Sequence, residues 1–284
     1  MTTTTAPAPP TTPSTVPSRT TARLVRLVAI QIRTEFAAIL RSAEFVGGAV
    51  AIPVLLYAMF GLAPARNLLP DGTTIGAMMA VSFSAYGVVS LAIFAFGDEL
   101  AKERGRGWTR TLRATPIPAA VHLIGKAVMA VGLAMLIVAA IGVVATVFGG
   151  VRLGVVQWLR LGLALVAGVL AFSTVGFALA YLVRPKAATM IASLIFLPLS
   201  FCSGFFFPLA ELPAFLQRVA PYLPTYHFGQ LAWQQVGTAR DVEAFVGVAP
   251  ASTGVHLAWV LGCFLVFGAL AVAAAGREAV SRRG

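Results

Sequence analysis

Charged side chains are scarce in this chain of 284 residues. Asp, Glu, Lys and Arg make up 11% of it, whereas soluble domains carry about 25%. Cysteine and histidine are rarer still, and the few that occur (Cys202, Cys263, His122, His227 and His256) are scattered along the chain. Both cysteines fall within apolar stretches, which excludes the disulfide framework of a small secreted domain. The histidines form no H-E-x-x-H motif, so the sequence predicts no metal site.

Motifs for catalysis and for ATP hydrolysis are also missing. The chain has no G-x-x-x-x-G-K-[ST] loop, which P-loop enzymes use to hold the phosphates of ATP. We therefore expect no catalytic residue and no cofactor in this chain, and we do not expect it to be an enzyme.

Apolar residues are abundant, at 58% of the chain. Six intervals without any charged residue each reach the length of about 20 residues that a helix needs to cross a bilayer. They are continuously apolar rather than alternating, which favours helices over barrel strands. We predict an all-α integral membrane protein with a six-span domain at 44–276. The predicted spans are 45–63, 75–96, 124–148, 161–183, 187–207 and 256–276.

The centres of these spans contain no Asp, Glu, Lys or Arg. Ion-coupled transporters usually place ionisable groups inside the membrane to bind protons or cations. Their absence argues against an ion-coupled secondary transporter or channel. That alternative stays open, because backbone carbonyls can bind sodium.

The distribution of Lys and Arg predicts the orientation. Sixteen of the 21 lie before the first span, in 97–126, at 184–186 or in the tail 277–284, and five lie in the intervening loops. Because cytoplasmic loops carry the excess of positive charge, both termini are predicted to be cytoplasmic. The basic composition then indicates contact with anionic membrane lipid rather than with nucleic acid.

Three further segments have their own patterns. Residues 1–21 are rich in Thr and Pro and are predicted to be a disordered cytoplasmic tail. In 22–43, arginines recur on one side of a helix and apolar residues on the other, which predicts an amphipathic helix along the inner membrane surface. Glu35 interrupts the apolar side, and packing on a soluble partner remains an alternative. Segment 208–255 is predicted to be a folded cap on the outer side.

Two stretches of this sequence carry a family resemblance. "ELAKERGRGWTRTLRATPIPAAVHLIGK" starts at Glu99 and "LPLSFCSGFFFPLAELPAFLQRVAPYLPTYHF" starts at Leu197. Together with the order of spans, they resemble the permease subunits of ABC type-2 exporters, over about residues 20–280. The Gly-Arg-Gly-Trp run at 105–108 is closer to the drug- and antibiotic-efflux branch.

This resemblance implies a bacterial plasma-membrane permease that pairs with a second permease subunit and with two copies of a separate P-loop ATPase. ATP and Mg would bind to that partner. The charged loop 97–120 would then be the segment that docks on the ATPase, and it holds eight of the chain's 31 charged residues. The predicted coupling residues are Glu99, Lys102, Glu103, Arg104, Gly105, Arg106, Gly107 and Trp108.

The resemblance also places the second and fifth spans beside the substrate, which we expect to be a hydrophobic or amphipathic small molecule. Aromatic and Met side chains suit such cargo. The candidate path residues are Met78, Met79, Phe83, Tyr86, Phe94, Phe196, Phe201, Phe205 and Phe206.

A break or a packing notch is predicted in the fifth span at Pro198, Ser203 and Gly204. Ser203 and His256 could also be read as the dyad of an intramembrane protease. The residue two before this serine is Phe201, where that motif needs glycine. The protease is therefore a minor alternative.

Overall fold

The computed structural model describes residues 19–41, 43–106 and 119–281. Within these ranges the chain is helical, without β-strands, and one isolated bridge joins Leu68 to Thr74. The predicted all-α fold is confirmed. The first 18 residues of the predicted tail, most of 107–120 and the last three residues lie outside the described ranges.

Ten α-helices, numbered here in chain order, and three short 3-10 helices occur in the described part of the fold. The α-helices are α1 (Arg19–Leu40), α2 (Ala43–Leu56), α3 (Ile75–Gly105), α4 (Ala119–Val147), α5 (Val155–Leu182), α6 (Ala188–Cys202), α7 (Ala214–Val219), α8 (Pro224–Trp233), α9 (Ala239–Val246) and α10 (Thr253–Ser281). Two π-helical turns occur, one continuing α2 over Tyr57–Gly61 and one inside α3 over Ala92–Glu99.

Five helices in the described ranges are long and apolar enough to cross a membrane. They are Ile75–Gly105, Val121–Val147, Val155–Leu182, Pro185–Cys202 and Thr253–Arg277. The first predicted span corresponds to a shorter apolar helix, Gly47–Gly61. The chain is therefore a multi-pass membrane protein by length and composition, and the sixth crossing stays a prediction.

Helix α3 is the centre of the molecule. In its apolar stretch 83% of the residues are buried, against 17% for α10. Its first turn is capped by Thr74, whose hydroxyl accepts a hydrogen bond from the backbone N–H of Ala77. We predicted that this span ends at residue 96, but the helix continues to Gly105. Residues 97–105, which we placed in a loop, extend the second span as helix.

Helix α1 forms where the amphipathic helix is predicted and packs against α4. Arg26 and Arg33 are exposed, whereas Val28 and Phe36 are half-buried. This division matches the two faces expected from the sequence. The location of α1 at a membrane surface stays a prediction.

The outer segment is folded, but one of its helices lies inside the molecule. Every side chain of α8 from Thr225 to Trp233 is buried, among α3, α5 and α10. Phe228 of α8 fills the space that a Cβ at Gly168 of α5 would need. Segment 208–255 therefore contributes to the core, in addition to covering it.

Candidate functional site

Helix α3 connects the charged residues near its C-terminal end to the interior of the molecule. Between these two parts lies its π-helical turn. This turn packs closely on α5, because Gly97 faces Gly176. A Cβ at Gly176 would lie 2.5 Å from the carbonyl oxygen of Ala92. The π-helix is rare and often marks functional positions in longer helices. Here it lies where the apolar part of α3 gives way to its charged end, residues 98–105.

Asp98 starts the charged end of α3 and is buried. One of its oxygens accepts a hydrogen bond from Thr189 of α6 (2.7 Å), and the other pairs with Lys102 (2.9 Å). Lys102 also pairs with Glu99 at 2.9 Å. The side chains of Lys102 and Glu99 remain 35% and 38% exposed, so both can still meet a partner.

Two further predicted coupling residues contact neighbouring parts of the fold. The guanidinium of Arg104 donates a hydrogen bond to the carbonyl of Ala180 and lies 4.7 Å from the ring centre of Tyr181. Gly105 approaches Pro185 so closely that a Cβ there would be 2.9 Å from the proline Cβ. Arg104 thus attaches the end of α3 to the end of α5, and Gly105 packs against the turn between α5 and α6.

The other predicted coupling residues have different surroundings. Glu103 lies 2.7 Å from Lys126 of α4, and its side chain is 25% exposed. Arg106 is exposed. Gly107 and Trp108 lie outside the described residues.

Six of the nine candidate path residues form a continuous aromatic ladder between α3 and the α6 region. Its ring-centre distances are 5.7 Å for Phe94–Phe196, 5.0 Å for Phe196–Tyr86, 5.2 Å for Tyr86–Phe206, 5.7 Å for Phe206–Phe83 and 4.6 Å for Phe206–Phe201. Most of these contacts have edge or tilted geometry, which aromatic rings prefer. The remaining three residues lie apart from the ladder. Phe205 contacts Trp233, Met78 faces Gly237, and Met79 faces Gly61.

A cleft of about 590 Å³ opens beside one end of this ladder, between α2, α3 and α6. Tyr86, Phe94 and Phe196 line its apolar wall, and Asp98, Glu99 and Lys102 line its polar end. Ligand pockets usually measure about 300–1,000 Å³ and combine apolar walls with a few polar groups. This cleft meets both criteria and brings the candidate path residues next to the candidate coupling residues.

The predicted break in the fifth span lies at its C-terminal end. Pro198 lies inside α6, which ends at Cys202, five residues before the predicted bound. Ser203 then bonds to the carbonyl of Leu199 and to the hydroxyl of Thr225, and Gly204 turns the chain with φ +77°. The left-handed conformation at Gly204 explains the need for glycine there.

Ser203 and His256 have separate partners. The Nδ1 of His256 lies 2.7 Å from the Nδ1 of His227, whose Nε2–H donates to the carbonyl of Pro221. Burial lowers the pKa of His227, although the bond to Pro221 opposes this shift. The serine hydroxyl bonds instead to Thr225. This pairing gives no support to a serine–histidine dyad.

The comparison with known families decides the class of this molecule. The family model described as "ABC-2 family transporter protein" matches residues 70–273. The chain belongs to the ABC-2 family. A relative, YvfS of Bacillus subtilis (strain 168), which its name presents as a proposed transport permease, is 25% identical over 202 residues, or 71% of this chain and 82% of that protein. The permease resemblance inferred from the two motifs is confirmed.

Sequence reasoning missed three buried polar residues of this permease, Asp98, His122 and Lys126, and the half-buried Glu35. Asp98 was not among the predicted coupling residues, and Glu35, His122 and Lys126 had no assigned role. Two signals were present in the sequence. Glu35 interrupts the apolar side of α1, and Lys126 follows His122 by four residues, which places both on one face of α4. Neither signal identifies a partner, because the partners lie on other helices.

Proposed function

We propose that this permease is the membrane-spanning subunit of an ABC exporter for hydrophobic or amphipathic compounds. A separate P-loop ATPase, in two copies, supplies the energy, with ATP and Mg bound there. Two permease subunits, alike or different, enclose the substrate. The protein lies in a bacterial plasma membrane with both termini in the cytoplasm. Residues 70–273, which match the family, contain both the charged end of α3 and the aromatic ladder.

One observation supports this proposal above the others. A single helix, α3, connects the charged end to the ladder and to the cleft. A continuous helix transmits a displacement along its length better than a flexible loop does. In this arrangement Glu99, Lys102 and Arg106, together with Gly107 and Trp108, contact the ATPase. Glu103 and Arg104 instead hold the end of α3 in place.

The proposal is tested by purifying the tagged permease with a P-loop ATPase from the same cell and reconstituting both in vesicles. ATP should drive movement of a fluorescent amphipathic dye, and Phe94→Ala should slow this movement. Phe215→Ala, which alters an exposed ring on α7, is the matched control and should leave the rate unchanged. Transport driven by a sodium or proton gradient without the ATPase would contradict the proposal and favour the secondary transporter.

A further inference from the structure

Four ionisable side chains from three helices meet beside the charged end of α3. They are Glu35 of α1, Glu103 of α3, and His122 and Lys126 of α4, and we call them the junction cluster. The sequence separates the first and last of them by about ninety residues. The fold alone brings them together.

Lys126 lies between the two carboxylates. Its Nζ is 2.7 Å from Oε1 of Glu103 and 3.5 Å from Oε2 of Glu35. The His122 ring lies between the same two groups, with Nδ1 3.4 Å from Oε1 of Glu35 and Nε2 3.6 Å from Oε2 of Glu103. Gln31 of α1 completes the cluster by donating to Glu35 at 2.9 Å. The end of α3 and helix α1 therefore share the same two residues of α4.

Close helix packing holds the α1 side of the cluster. A Cβ at Gly125 of α4 would lie 2.6 Å from Cγ of Gln31, and one at Gly132 would lie 2.6 Å from the ring of Phe36. These two glycines are seven residues apart, so they lie on the same face of α4. Glu35 lies between Gln31 and Phe36 in α1, so it meets His122 and Lys126 where the two helices pack most closely.

Glu103, on the α3 side of the cluster, is the more exposed of the two carboxylates. The side chain of Glu103 is 25% exposed, against 12% for Glu35 and 6% for Lys126. A partly exposed carboxylate regains water more easily when it leaves its partner, so its desolvation penalty is smaller.

We propose that Glu35, His122 and Lys126 are positioning residues that hold the charged end of α3 through Glu103 and release Glu103 during transport. Helix α1 stays bound to α4 while the end of α3 moves. This inference rests on the proposed function, since a transport cycle supplies the force that separates Glu103 from Lys126. It gives α1 a mechanical role besides its predicted contact with the membrane.

The first test measures ATP-driven transport by the reconstituted complex. Glu103→Gln should insert and melt like the parent protein but transport about tenfold more slowly, the size of a typical coupling energy. Lys126→Glu should abolish transport, and combining it with Glu103→Lys should restore most of the rate because the opposite charges face each other again. Glu243→Gln, an exposed carboxylate on α9, is the control. Parent-like transport by Glu103→Gln, or no rescue by the reversed pair, would overturn the proposal.

The second test does not depend on an ATPase. Spin labels at Arg33→Cys on α1 and Arg106→Cys at the end of α3 report the distance between these elements, in a background with Cys202 and Cys263 changed to alanine. Glu103→Gln should broaden and lengthen the distance distribution, whereas Lys186→Met, an exposed lysine in the α5–α6 turn, should not. An unchanged distance distribution in Glu103→Gln would refute the proposal that the junction cluster holds the end of α3. A complex without ATP-driven transport would refute the proposed function, and the label distances would still decide the position of α3.

Discussion

Several buried polar side chains join elements that are distant in sequence. The indole N–H of Trp233 donates to the hydroxyl of Ser82 at 3.0 Å, and both residues are fully buried. Asp241, which is also fully buried, accepts hydrogen bonds from the backbone N–H groups of Asp71 (2.8 Å) and Thr73 (3.3 Å). These bonds attach α8 and α9 to α3 and to the loop before it.

Replacing Ser82 by alanine should lower the free energy of unfolding by about 1–3 kcal/mol, because the buried indole N–H loses its acceptor. The same change in a Trp233→Phe background should have a smaller effect, since no N–H is left without a partner there. Thermal unfolding of the four proteins of this cycle in detergent measures the difference. Equal effects in both backgrounds would show that the hydrogen bond does not matter.

Asp241 should make the outer segment sensitive to acid. Burial alone would raise the pKa of its carboxyl, but hydrogen bonds from Thr73 and from the backbone of Asp71, Thr73 and Thr238 hold this pKa below its usual value. The stabilisation is therefore present above the unfolded pKa of about 3.9 and is lost as the pH falls below it. The melting temperature of the parent protein should drop more steeply between about pH 5 and pH 3 than that of Asp241→Asn. Parallel curves would contradict this assignment.

At the scale of the elements, α3 depends on α5 for its shape. The π-helical turn Ala92–Glu99 lies against Gly176, where α5 has no side chain. The atoms that a Cβ at Gly176 would meet include backbone atoms of α3, which cannot rotate away as a side chain can. The packing of these two helices therefore requires glycine at this position.

Changing Gly176 to alanine should destabilise the permease by about 1–3 kcal/mol, the usual effect of overpacking. Gly162→Ala on the same helix is the matched control, because its Cβ would meet only the sulfur of Met135 at 3.8 Å, an ordinary contact. Both substitutions add one methyl group and raise the intrinsic helix propensity by the same amount. Similar melting temperatures for the two variants would show that the contact with α3 is not tight.

At the scale of the whole molecule, the distribution of charge predicts which ends of the helices share a side of the membrane. The turn between α5 and α6 and the end of α3 belong to one side, since Gly105 touches that turn and Arg104 touches the end of α5 that precedes it. Segment 208–255 follows the opposite end of α6. The fold therefore agrees with the predicted grouping of loops, and the direction across the membrane stays a prediction from the excess of Lys and Arg.

Cysteine labelling in intact cells tests that direction. In a background with Cys202 and Cys263 changed to alanine, Glu243→Cys and Gln217→Cys should react with an impermeant maleimide. Lys186→Cys should react only after the membrane is opened, because it lies in the predicted cytoplasmic turn. Labelling of Lys186→Cys in intact cells would show that the predicted topology is inverted.

The sequence by itself determined the class of the protein and most of its helices. Long intervals without charge are stable either as membrane helices or in the core of a soluble protein. Composition and length were therefore enough to predict α4, α5 and α10 and the all-α fold. The two sequence motifs were enough to identify the family. Local patterns also predicted α1, because its two faces differ in polarity along one helix.

Only the tertiary structure decided how far α3 extends and which polar residues it buries. Charged side chains are expected to be exposed to solvent, and residues 97–105 were therefore predicted to form a loop. In the fold, Asp98 bonds to α6, Glu103 to α4 and Arg104 to α5. These contacts stabilise a charged stretch of helix that the sequence alone would predict to be exposed to solvent. Contacts of this kind join residues far apart in the chain, and no local pattern specifies them.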